Sequence, residues 1–116
     1  MEVTVPNNRL RRDIEDDSAR KKRFGKDIAQ KIALRRAALA AAESLADFWP
    51  PYSGPERVHE LKKGDLLGTF SADLRHPFRL LFNAADVEKK KPGDDEKKRW
   101  ESIKSIEIVS VEDTHD

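Results

Sequence analysis

Three side chains in the second half of the chain, His59, Arg79 and His115, have the types and the spacing for phosphodiester chemistry. Each lies in or beside a segment predicted to be a strand, and the segment of Arg79 has the apolar–polar alternation of a half-buried one. Because Phe78 and Leu80 flank Arg79, packing of these two on a core would turn Arg79 to the opposite side. The sequence therefore predicts two imidazoles and a guanidinium on the open face of one sheet.

Two histidines beside cations suit cleavage of a ribose–phosphate bond. One imidazole can remove a proton from a ribose 2′-hydroxyl and the other can protonate the leaving 5′-oxygen, since histidine titrates near neutral pH. Arg79 and a lysine from the neighbouring pair Lys62 and Lys63 would stabilise the charge of the transition state. The histidines lie far apart without metal-ligand spacing, so we expect no metal and no cofactor.

Each of these residues also has a structural explanation. His115 lies one residue from the end of the sequence and could be frayed. His59 could hydrogen-bond a backbone carbonyl on the surface of the sheet. Arg79 could pair with Asp73 or Glu107 across neighbouring strands.

Composition limits the class of protein. The 116 residues suit one domain over 1–116, with 39% charged and 37% hydrophobic residues. There is no cysteine, and no apolar run approaches the length of a membrane span. The N-terminal MEVTVPNNRLRRD also lacks the apolar stretch of a secretion signal, so we expect a cytoplasmic protein.

Charge is distributed unevenly along the chain. Residues 9–36 contain eleven Lys/Arg and five Asp/Glu, whereas residues 84–116 contain seven and ten. A basic first third suggests an anionic partner such as RNA, DNA or an acidic protein segment, and Lys21, Lys22 and Arg23 are candidates to contact phosphates. A solvated helix face is the alternative interpretation.

Hydrophobic periodicity predicts the elements that position these residues. Asn7 or Asn8 is expected to cap a short helix, Ser18 is a candidate cap for the next segment, and helical periodicity extends from residue 19 to about residue 47 with a break at Gly25. The prolines of FWPPYSGP would end that helix.

Period-two alternation predicts strands at 66–74 and 78–83, and the short alternating segment 1–5 suits a first strand. Residues 57–62 alternate poorly and are assigned as a strand from their context, whereas residues 103–113, β-branched and apolar on both faces, are expected to be a strand inside the sheet. The charged segment 84–102 is expected to be an exposed loop or extended hairpin. Consecutive strands joined by short turns favour an α+β domain. The predicted architecture is an antiparallel sheet of about five strands with two or three N-terminal helices packed on one face.

Four segments of the chain carry a family resemblance: KKRFGKDIAQKI, ESLADFWPPYSGPERVHELK, GTFSADLRHPFRLLF and the closing VEDTH. They resemble the RelE/ParE superfamily of bacterial toxins, in particular the HigB-like "killer protein" branch of type II toxin–antitoxin systems. The resemblance implies a RelE-like fold and a ribosome-dependent endoribonuclease that cleaves mRNA and inhibits translation. It also implies a cognate antitoxin partner, expected to be a HigA-like helix-turn-helix protein.

The resemblance further implies roles for individual residues. The histidines His59 and His115 would be the acid and base, and Arg79 and Lys62 would stabilise the phosphate and the transition state. Asp113 matches the first residue of the family's C-terminal Asp-Tyr-His and is included in the catalytic set. The expected RNA-binding residues are Arg57, Lys63, Lys21, Lys22 and Arg23.

The sequence departs from the family pattern at Thr114, where the family has a tyrosine; threonine cannot stack on a base or donate a phenolic proton. The KKGD turn is also one lysine longer, so either Lys62 or Lys63 could be the catalytic lysine. Two alternative functions therefore stand beside the nuclease. One is a catalytically weakened, killer-suppression type of interaction module, and the other is a gyrase-directed toxin of the ParE kind.

Overall fold

Helices occupy the first third of the chain and most strands the remainder. The computed structural model describes residues 1–62, 64–86, 93 and 95–113. Within these residues lie four helices and five strands: β1 (Glu2–Thr4), α1 (Asn8–Glu15), α2 (Asp17–Phe24), α3 (Lys26–Ala41), β2 (His59–Glu60), β3 (Phe70–Asp73), β4 (Phe78–Ala84), α4 (Glu96–Ser102) and β5 (Ser105–Asp113). No helix of the described part is long and apolar enough to cross a membrane.

Side-chain caps start the first two helices. The Asn7 side chain accepts a hydrogen bond from the backbone N–H of Leu10 at 2.9 Å and caps α1. The cap of α2 is Asp16 and not Ser18. The Asp16 carboxylate accepts a hydrogen bond from the backbone N–H of Ala19 at 2.7 Å. Gly25 adopts a φ of +82° between α2 and α3, which confirms the predicted break.

The third helix is shorter than predicted. It ends at Ala41, well before the prolines that were expected to stop it. The reason is local: the Ser44 hydroxyl accepts from the N–H of Ala46, and the Asp47 carboxylate accepts from the N–H of Glu43. These side chains accept hydrogen bonds from backbone N–H groups that would otherwise be bonded within a continued helix.

The sheet has the strand order β1-β5-β4-β3-β2. Neighbouring strands run antiparallel except β1 and β5, which are parallel, so the sheet is mixed and the prediction of a wholly antiparallel sheet is wrong for that pair. Most of the chain lies between β1 and β5, and such a long connection is what a parallel pair needs. The α+β class, the five strands and the three N-terminal helices are as predicted.

Two predicted strands are much shorter in the structure. The predicted strand 57–62 pairs in the sheet only at His59–Glu60. The predicted strand 66–74 pairs only at Phe70–Asp73. A short 3₁₀ turn at Gly64–Leu66 lies between them, and Gly68 has a φ of +87°. An extended strand cannot include that conformation, so the alternation of residues 66–69 indicated a strand wrongly.

The core lies between one face of the sheet and the helices. Leu80 of β4, Ile32 of α3 and Trp100 of α4 belong to one cluster of fully buried side chains. The pairing of β4 with β5 contains a bulge, because Leu81 pairs with Ser110 and Phe82 with Ile108. Val109 is thereby an extra residue on β5, and the side chains that follow it change faces relative to a regular strand.

The charged segment 84–102 was predicted to be a loop or hairpin, and for its last part this is wrong. Glu96–Ser102 form helix α4, capped by the Asp95 carboxylate, which accepts from the N–H of Lys98 at 3.0 Å. Trp100 is completely buried, with ring centroids 5.1 Å from Trp49 and 5.7 Å from Phe70. The helix therefore covers the core face of the sheet. Residues 87–92 and 94 lie outside the described residues.

Candidate active site

The strand register brings His59 and Arg79 to the same face of the sheet. His59 pairs with Ser71, which pairs with Leu81, and Asp73 pairs with Arg79. Residues that are directly paired point the same way, and positions two apart along a strand share a face. These side chains therefore project from the face opposite to the helices.

A cleft of about 860 Å³ opens beside these two residues. Its walls include His59, Arg79, Tyr52 and Glu112, and residues 61, 62 and 64–66 form its rim. The first two of these side chains were predicted from the sequence, whereas Tyr52 and Glu112 were not.

His59 is held rigidly and in a defined tautomer. It is only 3% exposed, its Nδ1 lies 2.7 Å from the backbone oxygen of Arg57, and its ring stacks on Tyr52 with centroids 4.0 Å apart. A carbonyl oxygen can only accept, so Nδ1 carries the proton and donates it to Arg57. In the neutral ring, Nε2 then has a free lone pair and can act as a base.

The surroundings of His59 favour that neutral form. Burial lowers the pKa of His59, and the positive charges of Arg79 and Arg57 lower it further. The hydrogen bond to the Arg57 carbonyl and the carboxylate of Asp73 oppose this change without reversing it. The uncharged imidazole is therefore favoured at neutral pH.

Arg79 is oriented by charge rather than by a hydrogen bond. Its Nε lies 3.6 Å from Asp73 Oδ1, and the other carboxylate oxygen of Asp73 lies 3.1 Å from Arg57 Nε. The pairing of Arg79 with Asp73, the structural explanation given above, is therefore present. The Arg79 guanidinium makes no hydrogen bond to another described residue, so its N–H groups remain available to a ligand in the cleft.

Lys62 points toward α4. Its ammonium lies 3.3 Å from Glu96 Oε1 and 3.9 Å from Glu60 Oε1, and Glu60 also accepts a hydrogen bond from Arg99 at 2.9 Å. Lys62 therefore pairs with carboxylates at the edge of the cleft and does not lie beside His59. Lys63 lies outside the described residues.

The end of β5 presents a different acid from the one predicted. Asp113 was included in the predicted catalytic set, but the bulge at Val109 changes the face to which the residues after it point. In the structure Asp113 pairs with Phe78, and Glu112 pairs with Arg79 and lines the cleft. His115 and Thr114 lie outside the described residues.

A loop between the helices and β2 completes the cleft, and Arg35 of α3 anchors it. The buried Arg35 side chain donates to the backbone oxygens of Asp73 at 2.6 Å and Pro55 at 3.1 Å. The N–H of Asp73 also donates to the backbone oxygen of Glu56 at 2.8 Å. No spacing in the sequence indicated that this arginine would tie the loop to the sheet.

The basic residues Lys21, Lys22 and Arg23 are not part of the cleft. They are exposed on α2, which packs against α1 and α3 on the helical side of the molecule. Arg23 lies 3.9 Å from Asp13, and the two lysines have no ionic partner among the described residues. Arg57, also predicted to bind RNA, lies next to the cleft with half of its side chain exposed.

The described walls of the cleft are not strongly basic. They contain three carboxylates, Glu60, Asp65 and Glu112, and two cations, Lys62 and Arg79. No group of three or more His, Cys, Asp or Glu side chains in the described part of the chain could hold a metal ion.

The YoeB–YefM complex from Staphylococcus aureus contains a chain similar to this one in structure. The TM-score is 0.52 at 17% sequence identity, and the match covers 100% of this chain and 98% of that chain. At this identity the similarity establishes a shared fold, the RelE/YoeB-like α+β fold with a five-stranded mixed sheet. No protein-family model and no curated protein sequence matches the chain.

Proposed function

We propose that this protein is the toxin of a type II toxin–antitoxin system and that it cleaves mRNA on the ribosome, in the cytoplasm. The observation that carries the proposal is the placement of His59, whose Nδ1 donates to the Arg57 carbonyl and leaves Nε2 as a possible base, on the same sheet face as Arg79 and lining the same cleft. The fold shared with a chain of the YoeB–YefM complex supports the toxin role and an antitoxin partner. A HigA-like helix-turn-helix protein is the partner we propose.

The geometry suggests how the first half of the reaction proceeds. His59 Nε2 removes the proton from a ribose 2′-hydroxyl, the 2′-oxygen bonds to phosphorus, and the bond from phosphorus to the 5′-oxygen breaks. Arg79 donates hydrogen bonds to the phosphate oxygens, whose negative charge grows in the transition state. The products are a 2′,3′-cyclic phosphate and a 5′-hydroxyl end.

The leaving 5′-oxygen needs a proton, and we assign that role to His115. The second acid must reach the side of the phosphate opposite the 2′-hydroxyl, and His115 follows β5, whose Glu112 already lines the cleft. In this assignment Lys62 and Lys63 contribute positive charge at the rim, and the role of Asp113 is to orient the C-terminal residues.

A second candidate function is a catalytically weakened member of the fold that acts by complex formation. The observation in its favour is the charge of the described residues of the cleft: three of them are carboxylates, and the ammonium of Lys62 already lies near Glu96 and Glu60. An RNA phosphate would meet fewer free cations there than a nuclease of this kind can use.

Incubation of the purified protein with ribosomes that hold a defined mRNA tests the two candidates. We expect cleavage within the codon at the A site, detected by primer extension, and a cyclic phosphate at the new 3′ end. Intact mRNA at all protein concentrations, together with a tight complex with the antitoxin, would support the interaction module. Inhibition of DNA supercoiling in a parallel gyrase assay would support the ParE-like alternative.

The lysines of α2 are proposed to contact ribosomal RNA, away from the cleft. We expect the double variant Lys21→Glu, Lys22→Glu to weaken ribosome binding and to lower the slope of log K against log salt by about 0.7–0.9 for each phosphate contact that is lost. Co-sedimentation with ribosomes over a range of salt concentrations measures both effects. The matched control is Lys97→Glu, Lys98→Glu, which reverses two exposed adjacent lysines on α4; equal weakening by both pairs would argue against a specific contact at α2.

A further inference from the structure

We propose that Tyr52 is a positioning residue for His59: its ring fixes the imidazole so that Nε2 is directed into the cleft. The proposal deepens the proposed nuclease function, since it concerns the base of that reaction. Neither the spacing nor the composition of the sequence indicated a role for this tyrosine.

The contact between the two rings is close and nearly parallel. The Tyr52 and His59 centroids are 4.0 Å apart and the planes differ by 17°. Together with the hydrogen bond from Nδ1 to the Arg57 carbonyl, the stack fixes both the plane and the rotation of the imidazole. The remaining ring nitrogen, Nε2, can then point in only one direction.

Core packing does not explain Tyr52, because the residue is 52% exposed. It also has a φ of +67°, and Arg57 at the other end of the loop has a φ of +46°. Left-handed conformations are uncommon for residues other than glycine, persist where the surrounding structure fixes them, and cluster at active sites and ligand-binding loops. Here the loop is closed by the N–H of Tyr52, which donates to the backbone oxygen of Val58 at 3.1 Å.

The charged groups around the stack come from three strands and the loop. The guanidinium of Arg57, in the loop, lies 5.1 Å from the centre of the Tyr52 ring. Asp73 belongs to β3 and Arg79 belongs to β4. Glu112 of β5 and Asp65 of the turn line the same cleft. Replacement of Tyr52 therefore changes the solvation of His59 without removing any of these charged groups.

The positive φ of Tyr52 makes a clean experiment possible. Glycine adopts this conformation readily, so Tyr52→Gly removes the ring without straining the loop, and Tyr52→Phe keeps the ring without its hydroxyl. In Tyr52→Gly we expect the pKa of His59 to rise toward its ordinary value and kcat for mRNA cleavage to fall about tenfold or more with little change in KM. We expect Tyr52→Phe to behave like the wild type in both measurements.

NMR titration of the imidazole reports on positioning independently of cleavage. An unchanged His59 titration in Tyr52→Gly would overturn the proposal, as would a loss of kcat in Tyr52→Phe as large as that in Tyr52→Gly. The second result would mean that the hydroxyl acts on the substrate itself. If the wild type cleaves no mRNA but the titration shifts as expected, the proposed nuclease function fails and the positioning role stands.

Discussion

Replacement of His59 by alanine is expected to lower the rate of mRNA cleavage on ribosomes by roughly 10²–10⁴-fold, the usual contribution of a positioned acid or base. The Nε2 lone pair is the base that we assign to the 2′-hydroxyl, and no other imidazole lines the described cleft. The rate of the wild type should rise with pH through the pKa of His59, because only the neutral ring accepts a proton, and should fall again at higher pH, where the proposed acid His115 has lost its proton. Since that pKa is lowered, the midpoint of the increase should lie below the ordinary value for a histidine.

Arg79→Ala is expected to cause a similar loss, of about 10²–10³-fold, because the guanidinium stabilises charge that exists only in the transition state. Arg79→Lys should recover only part of the rate, since an ammonium cannot offer two parallel hydrogen bonds to one phosphate. Both variants should retain ribosome binding, which we assign to other cations. Cleavage rates and co-sedimentation separate the two effects.

The turn between β3 and β4 provides matched controls. His76 and Arg75 are exposed there and do not line the cleft. We expect His76→Ala and Arg75→Ala to cleave mRNA at the rate of the wild type, and thermal unfolding should show that His59→Ala is still folded. Growth arrest by a folded His59→Ala, Arg79→Ala double variant equal to that of the wild type would exclude nuclease chemistry at this site.

The common face of His59 and Arg79 could be predicted because it depends on a regular feature, the period of two in paired strands. Asp113 could not be placed in the same way. The extra residue Val109 changes the parity of the last part of β5 and brings Glu112 beside Arg79. A bulge of this kind depends on the pairing of two strands, and the alternation of one strand does not reveal it.

Tyr52 and Arg35 were missed for a different reason. The contact of Tyr52 with His59 depends on a left-handed backbone in an irregular loop, and Arg35 contributes hydrogen bonds to backbone oxygens that are distant in sequence. Neither property leaves a periodic pattern. The prolines and glycine of FWPPYSGP indicated a loop correctly, but they carry no information on which side chain the loop brings to the cleft.

The segment before β5 shows how composition can hide an element. Its many lysines and acids predicted a solvated loop, yet Asp95 is a good helix cap and the single large apolar residue, Trp100, lies on the core side of the helix. One buried tryptophan supplies as much contact area as several smaller side chains. The docking of α4 on the sheet should therefore depend mainly on this one residue.

Trp100→Ala is accordingly expected to lower the free energy of unfolding by about 3–5 kcal/mol. The indole ring contacts both Trp49 and Phe70, and a cavity in its place would lie at the centre of the buried cluster. A loss of this size is a large part of the stability of a small domain. Urea denaturation followed by far-UV circular dichroism measures it without relying on tryptophan fluorescence.

Trp100→Phe separates ring packing from the polar part of the indole. The Trp100 Nε1 is buried and has no hydrogen-bond partner in the described part of the chain, so its removal leaves no acceptor unpaired. We therefore expect Trp100→Phe to cost clearly less than the alanine variant, about 1–2 kcal/mol for the lost volume.

Leu67→Ala, at a side chain that is 63% exposed, should change stability by less than about 0.5 kcal/mol. If Trp100→Ala were as stable as Leu67→Ala, α4 would not be part of the cooperative core, and the position of the charged segment on the core face would have to be revised.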